Sequence, residues 1–160
     1  MCSTVRAVLA ALLAIVLALP QAGVFVPGKS LGGVRLGQTE QQVRAAWGPR
    51  VGVCRGCRDR TLYFTYDKFD QVGVGAEFRR GRAVALFTLW VPTGWHTDRG
   101  LNLGDPPVSV NGIYGTLPRV DCGHYYALVQ RRPRSVSAFY FKGDTLWAFG
   151  LQRPSVPVCR

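Results

Sequence analysis

The chain states one phrase twice. Gly33-Val-Arg-Leu-Gly37 is followed eleven residues after its second glycine by Gly48, and Gly100-Leu-Asn-Leu-Gly104 is followed at the same distance by Gly115. Val43 and Val110, like Trp47 and Tyr114, fall in register 67 residues apart. A second echo links Phe78-Arg-Arg-Gly81, leading to Phe87 and Leu89, with Tyr140-Phe-Lys-Gly143, leading to Phe149 and Leu151. A duplicated unit is expected, over residues 23–92 and 93–160, behind a signal peptide over 1–22.

Each phrase introduces a helix. Thr39-Glu-Gln-Gln42 has the form of a capping box, and Val43, Ala46 and Trp47 share one helical face. Gly48-Pro49 ends that helix. In the second unit Asp105-Pro106-Pro107 opens the turn, Val110, Ile113 and Tyr114 rebuild the apolar face, and Gly115 stops it. Strand signals follow each helix: Thr61 to Tyr66, Glu77 to Arg79 and Val84 to Trp90, then His124 to Gln130, Ser135 to Phe141 and Thr145 to Leu151. The expected fold class is therefore α+β, a tandem repeat of a short helix packed on an antiparallel sheet of three to four strands.

Strict alternation assigns the faces. Ala85, Phe87 and Leu89, matched to Trp147, Phe149 and Leu151, are expected to meet the helix. The other parity carries Val84, Leu86, Thr88 and Trp90. With Tyr63 and Tyr125, the residues Val84, Leu86 and Trp90 are the candidate binding face, open either to a partner or to further chain. The connector from Val91 to Arg99 contains Trp95, which argues that part of it docks.

Export fits the first residues. Arg6 is the only charge before an apolar run from Ala7 to Leu19, and Ala22 offers a cleavage position. That run is shorter than the roughly 20 residues that span a bilayer, so no stable membrane span is expected after cleavage. Retention as an anchor is the alternative. The mature chain would keep Cys54, Cys57, Cys122 and Cys159, an even set suited to disulfides in an oxidising compartment. Four cysteines allow three pairings; proximity favours Cys54–Cys57 and Cys122–Cys159.

The formal charge of +11 comes from 20 basic residues, only three of them lysine (Lys29, Lys68, Lys142). Arginine clusters occur at Arg55/Arg58/Arg60, Arg79/Arg80/Arg82 and Arg131/Arg132/Arg134. They suit either a solvated surface or attraction to a polyanion.

The phrase Gly32-Gly-Val-Arg-Leu-Gly-Gln-Thr-Glu-Gln-Gln-Val-Arg-Ala-Ala-Trp-Gly48 resembles the helix start of small exported bacterial proteins. These are the outer-membrane assembly lipoproteins of the BamE (SmpA) type and the β-lactamase-inhibitory proteins. The chain is also similar to uncharacterised secreted actinobacterial proteins. The inhibitor resemblance implies tandem helix-plus-sheet units with disulfides that grip a protein by the sheet. Gln38 stands where methionine is common, and no inhibitor contact residue transfers by motif.

Chemical constellations are sparse. Cys54-Arg-Gly-Cys57 has redox spacing, with Arg55 and Arg58 placed to favour a thiolate, but it precedes a strand and does not open a helix. The cysteine spacing fits no zinc pattern. His96 and His124 lack an apparent nucleophile with proper geometry, and the glycines at 73, 75 and 81 form no phosphate loop. The expectation is a secreted, non-catalytic binding module with no cofactor and no metal. Its partner is a protein or an anionic envelope component, and nucleic acid is not expected. The alternatives are a thiol–disulfide oxidoreductase using Cys54 and Cys57, and a structural cell-wall protein.

Overall fold

The glycine-flanked phrases each lead into one short helix. The computed structural model describes residues 23–64, 73–89 and 92–160. Helix α1 (Glu40–Trp47) starts at a closed capping box: the Gln42 N–H donates to Thr39 Oγ1 (3.2 Å) and the Thr39 N–H donates to Gln42 Oε1 (2.9 Å). Helix α2 (Pro107–Tyr114) has no side-chain cap, and Pro106 and Pro107 set its entry angle instead. Val43 and Val110 are the fully buried positions of the two helices.

Among the described residues there are eleven strands: β1 (Val24–Val26), β2 (Ser30–Leu31), β3 (Gly52–Val53), β4 (Arg60–Phe64), β5 (Val74–Arg79), β6 (Arg82–Thr88), β7 (His96–Thr97), β8 (Arg119–Asp121), β9 (Tyr126–Arg132), β10 (Ser135–Lys142) and β11 (Thr145–Gln152). Eight of them form one antiparallel sheet in the order β3-β4-β5-β6-β11-β10-β9-β8. A small second sheet runs β2-β1-β7, with β1 and β7 parallel.

The expected fold class is corrected by this arrangement. The described residues are mostly β, 44% strand against 12% helix, and do not form a tandem repeat of a helix on its own sheet. The finding that overturns the expectation is the ladder between β6 and β11, where Leu86 faces Leu151 and Phe87 faces Gly150. Two separate sheets would each leave that edge with unpaired N–H and C=O groups. Joining them satisfies both edges and, among the described residues, leaves the short β3 and β8 as the edges of the large sheet. Ladders also join residues on either side of position 92: Val24 pairs with His96, and Phe25 with Thr97.

The main core lies between one face of the large sheet and the helices. Leu62, Phe64, Leu86, Phe139, Phe149 and Leu151 meet Val43 and Val110 there. Trp47 packs edge-on against Phe64 (5.3 Å), and Tyr114 lies against Phe139 (5.0 Å). Phe25 of β1 fills the space between Phe139 and Phe149, and Trp95 from the connector is buried in the same cluster. The Trp47 indole N–H donates to the Gly32 carbonyl (2.9 Å), tying α1 to the first glycine phrase. The expected signal segment lies outside the described residues. Among the described residues no helix is long and apolar enough to cross a membrane.

Candidate functional site

Two bulges decide what the far side of the sheet displays. Between β5 and β6, Phe78 pairs with Ala83 and Glu77 with Ala85, so Val84 is an extra residue in β6. Between β10 and β11, Phe141 pairs with Leu146 and Tyr140 with Ala148, which makes Trp147 the extra residue in β11. An extra residue inverts the alternation beyond it. Ala83 and Leu86, like Leu146 and Phe149, therefore join the helix-side core at a spacing of three.

The expected face assignment is corrected accordingly. Leu86 is fully buried in the core, and Val84 packs with Ala85 under Val156. Phe87 and Trp147, expected under the helix, line a groove on the opposite face. Of the five candidate binding residues, Tyr63 and Tyr125 line this groove. Trp90 lies outside the described residues. Phe87, Tyr140, Trp147, Glu77 and Arg160 were not anticipated. No sequence signal marks Tyr140, Glu77 or Arg160 as groove residues, and Phe87 and Trp147 follow only from the bulged pairing register.

The groove encloses about 570 Å³. Its floor is aromatic: Tyr63 meets Phe87 edge-on (6.5 Å), Tyr125 meets Trp147 (5.9 Å), and Tyr140 lies beside both Tyr125 (6.0 Å) and Trp147 (6.3 Å). Glycines in the sheet make room for these rings. A Cβ on Gly75 would stand 2.5 Å from the Phe87 ring, and one on Gly150 would stand 2.8 Å from the Tyr140 ring. The Trp147 indole N–H is buried and has no hydrogen-bond acceptor among the described residues. Burial pushes the Tyr140 hydroxyl up to about 12, so it stays neutral, and its O–H donates a hydrogen bond to the Val158 carbonyl (2.8 Å).

Residues 153–160 form one bank. Gln152 Nε2–H donates to the Val156 and Pro157 carbonyls (3.0 and 2.9 Å), and the Tyr125 hydroxyl bridges the Arg160 backbone N–H and C=O at 2.7 Å each. The Arg160 guanidinium lies 4.6 Å from the centre of the Phe87 ring and pairs with Glu77 (2.8 Å). Glu77 also meets Arg79 (3.4 Å), which in turn pairs with Asp59 (2.8 Å). The Arg79 guanidinium holds the Asp59 carboxyl below its ordinary range.

Disulfides staple both banks. Cys54 bonds Cys57 in the loop joining β3 to β4, and Cys122 bonds Cys159, fixing the 153–160 segment beside β8. Cys57 and Cys159 both line the groove. No helix begins at Cys54, so the bonded pair lacks the helix N-terminus that would stabilise a reactive thiolate. His96 is in β7 and His124 in the turn between β8 and β9, and neither is among the residues that line the groove. Among the described residues no cluster of three His, Cys, Asp or Glu could hold a metal ion.

No family model matches the chain. No curated protein matches it. Among solved structures, the fold is similar to that of an extracellular protein containing an SCP domain from Bacillus anthracis str. Ames, at 9% identity and a TM-score of 0.54 over 74% of this chain. This chain covers 44% of that protein, less than half its length. Weaker likenesses are to a DUF4309 family protein from Bacillus subtilis (TM-score 0.47, 15% identity, 72% of this chain and 78% of that one) and to the uncharacterized protein yfeY from Escherichia coli (0.47, 14%, 73% and 89%). At such identities the first likeness speaks to the fold alone.

Proposed function

We propose that this chain is an exported binding module that grips an acidic protein partner by the aromatic groove of its large sheet. The observation that carries this reading is the groove itself. Four aromatic rings and the Phe87–Arg160 stack line a concavity of about 570 Å³ on a sheet face that no helix among the described residues covers. Aromatic residues and arginine are the side chains that anchor protein interfaces. The chain's charge of +11 favours a partner of opposite sign.

Two disulfides suit an oxidising compartment. The similar fold of the extracellular Bacillus anthracis protein agrees with that setting. The resemblance of the Gly32–Gly48 phrase to the helix start of inhibitory proteins, which grip proteins by a sheet, points the same way.

The test is immobilised oxidised protein offered to the host's extracellular fraction, with Phe87→Ala beside the wild type. The expected result is a saturable acidic partner retained at 0.3 M salt by the wild type and lost at least tenfold by the variant. Retention by both proteins alike, or release of everything by moderate salt, would overturn the reading.

A further inference from the structure

Three arginine clusters that are distant in sequence meet at one end of the large sheet. Arg55 and Arg58 precede β4, which begins at Arg60; Arg79 ends β5 and Arg82 begins β6, with Arg80 in the turn. Arg131 and Arg132 end β9, and Arg134 sits in the turn before β10. The registers bring these turns to one level. Arg60 faces Phe78, Arg79 faces Arg82, and Arg132 faces Ser135. Gln152 ties the two halves, facing Ala85 on one side and Val136 on the other. Arg153 follows it and donates its backbone N–H to the Val84 carbonyl (2.8 Å), which places it between the β5–β6 and β9–β10 turns. Lys29 joins the row because its neighbour Gly28 donates its N–H to Ser137 Oγ (2.7 Å).

The local carboxylates are already engaged: Asp59 by Arg79, and Glu40 by Arg60 and Arg44. Arg55, Arg80, Arg131, Arg132, Arg134 and Arg153 are exposed and have no carboxylate partner among the described residues. From β4 to β9 is five strand spacings, so the row extends roughly 25 Å. A row of that length suits several successive anionic groups of one linear chain better than a single anion. The cations are nearly all guanidinium, whose planar fork matches phosphate oxygens. Away from the groove end, the turns that carry Arg80, Arg131, Arg132, Arg134 and Arg153 hold no aromatic residue on which a base could stack, whereas single-stranded nucleic acid sites rely on such rings.

We propose that this basic rim, which meets the aromatic groove at Arg58 and Arg79 and runs away from it toward Arg131, Arg132 and Arg134, is a second binding surface that takes a linear phosphate polymer without bases. Inorganic polyphosphate of about 30 units is the ligand for the test, with a single-stranded oligonucleotide of equal charge beside it. Binding to the oxidised protein is measured from 0.05 to 0.3 M salt. Six contacts would give a slope of log K against log salt near −4, at about 0.7 for each phosphate neutralised on a single strand. The triple variant R131Q/R132Q/R134Q changes only exposed side chains. It should lose at least tenfold in affinity and about 2 from the slope. R55Q, at the other end of the row and outside the groove lining, should lower both by smaller amounts, while Phe87→Ala should leave both unchanged. Each variant's thermal unfolding is compared with the wild type, so that lost binding is not confused with lost folding. Polyphosphate affinity and slope unaffected by either arginine variant would overturn the proposal. So would an oligonucleotide that binds as tightly as polyphosphate, which would make the rim a nucleic-acid surface.

Discussion

Glu40 illustrates how one carboxylate fastens helix to sheet. It accepts from Arg60 of β4 (2.6 Å) and from Arg44 one turn along α1 (2.8 Å). The Arg60 hydrogen bond, aided by Arg44, brings its carboxyl from 4.5 down to about 2. Because the folded value is depressed, the stabilisation is complete above 4.5 and is lost as pH falls toward 2. For a pair at the surface, solvent screening limits the effect to about 1 kcal/mol. Urea unfolding of wild type and Glu40→Gln should therefore differ by that amount at pH 7 and converge near pH 2. A gap that stays constant with pH would contradict this assignment. Glu77 has a different task. Its side chain is only 11% exposed and holds Arg160 against Phe87. Glu77→Gln keeps the shape but removes the charge, and should cost about 1–3 kcal/mol by weakening charge-assisted hydrogen bonds. Denaturant titration checks it, and an unchanged midpoint would show that Arg160 is held by other contacts.

The elements show where sequence patterns suffice and where they stop. Both helices begin and end where their caps and glycines say, since Thr39, Gln42, Pro106 and Gly48 act within a turn of chain. The long strands β9, β10 and β11 follow from β-branched and aromatic runs. The faces of β6 and β11 do not follow, because a bulge moves one residue without any change in composition. Val84 and Trp147 are read correctly only with the pairing register in hand. The groove was legible in part, through Tyr63 and Tyr125. The ladder joining β6 to β11 was not, because either strand reads equally well as an edge. The disulfide pairing by proximity is the one present, but that same proximity could not exclude the other two pairings. One consequence of the close packing of β5 against β6 is testable. Gly75→Ala would press on the far end of the Phe87 ring, which can swing into the groove. Stability should fall by under about 2 kcal/mol, while partner affinity falls at least tenfold. Equal loss in both would mean that the ring does not line the contact.

At the scale of the whole molecule, one sheet of eight strands carries two working faces. The helices, β1, β2 and the connector seal one, and the other is left concave between two stapled banks. The two staples differ in what they constrain. Cys122 and Cys159 are 37 residues apart, whereas Cys54 and Cys57 are separated by 3. On chain-entropy grounds the first should contribute about 4 kcal/mol and the second about 1.5 kcal/mol. C122S/C159S should consequently lower stability much more than C54S/C57S, as thermal unfolding would show. Equal losses would mean that the short loop is as important to the fold as the long bridge.

The claim that the open face is the gripping face is tested most directly by a photo-crosslinking residue placed in turn at Tyr63, in the groove, and at Val108, which is 71% exposed on α2. Irradiation in the native host should give a discrete protein adduct from position 63, persisting in 0.3 M salt, and none from position 108. An adduct from position 108 with none from position 63 would place the contact on the helical side and contradict the account.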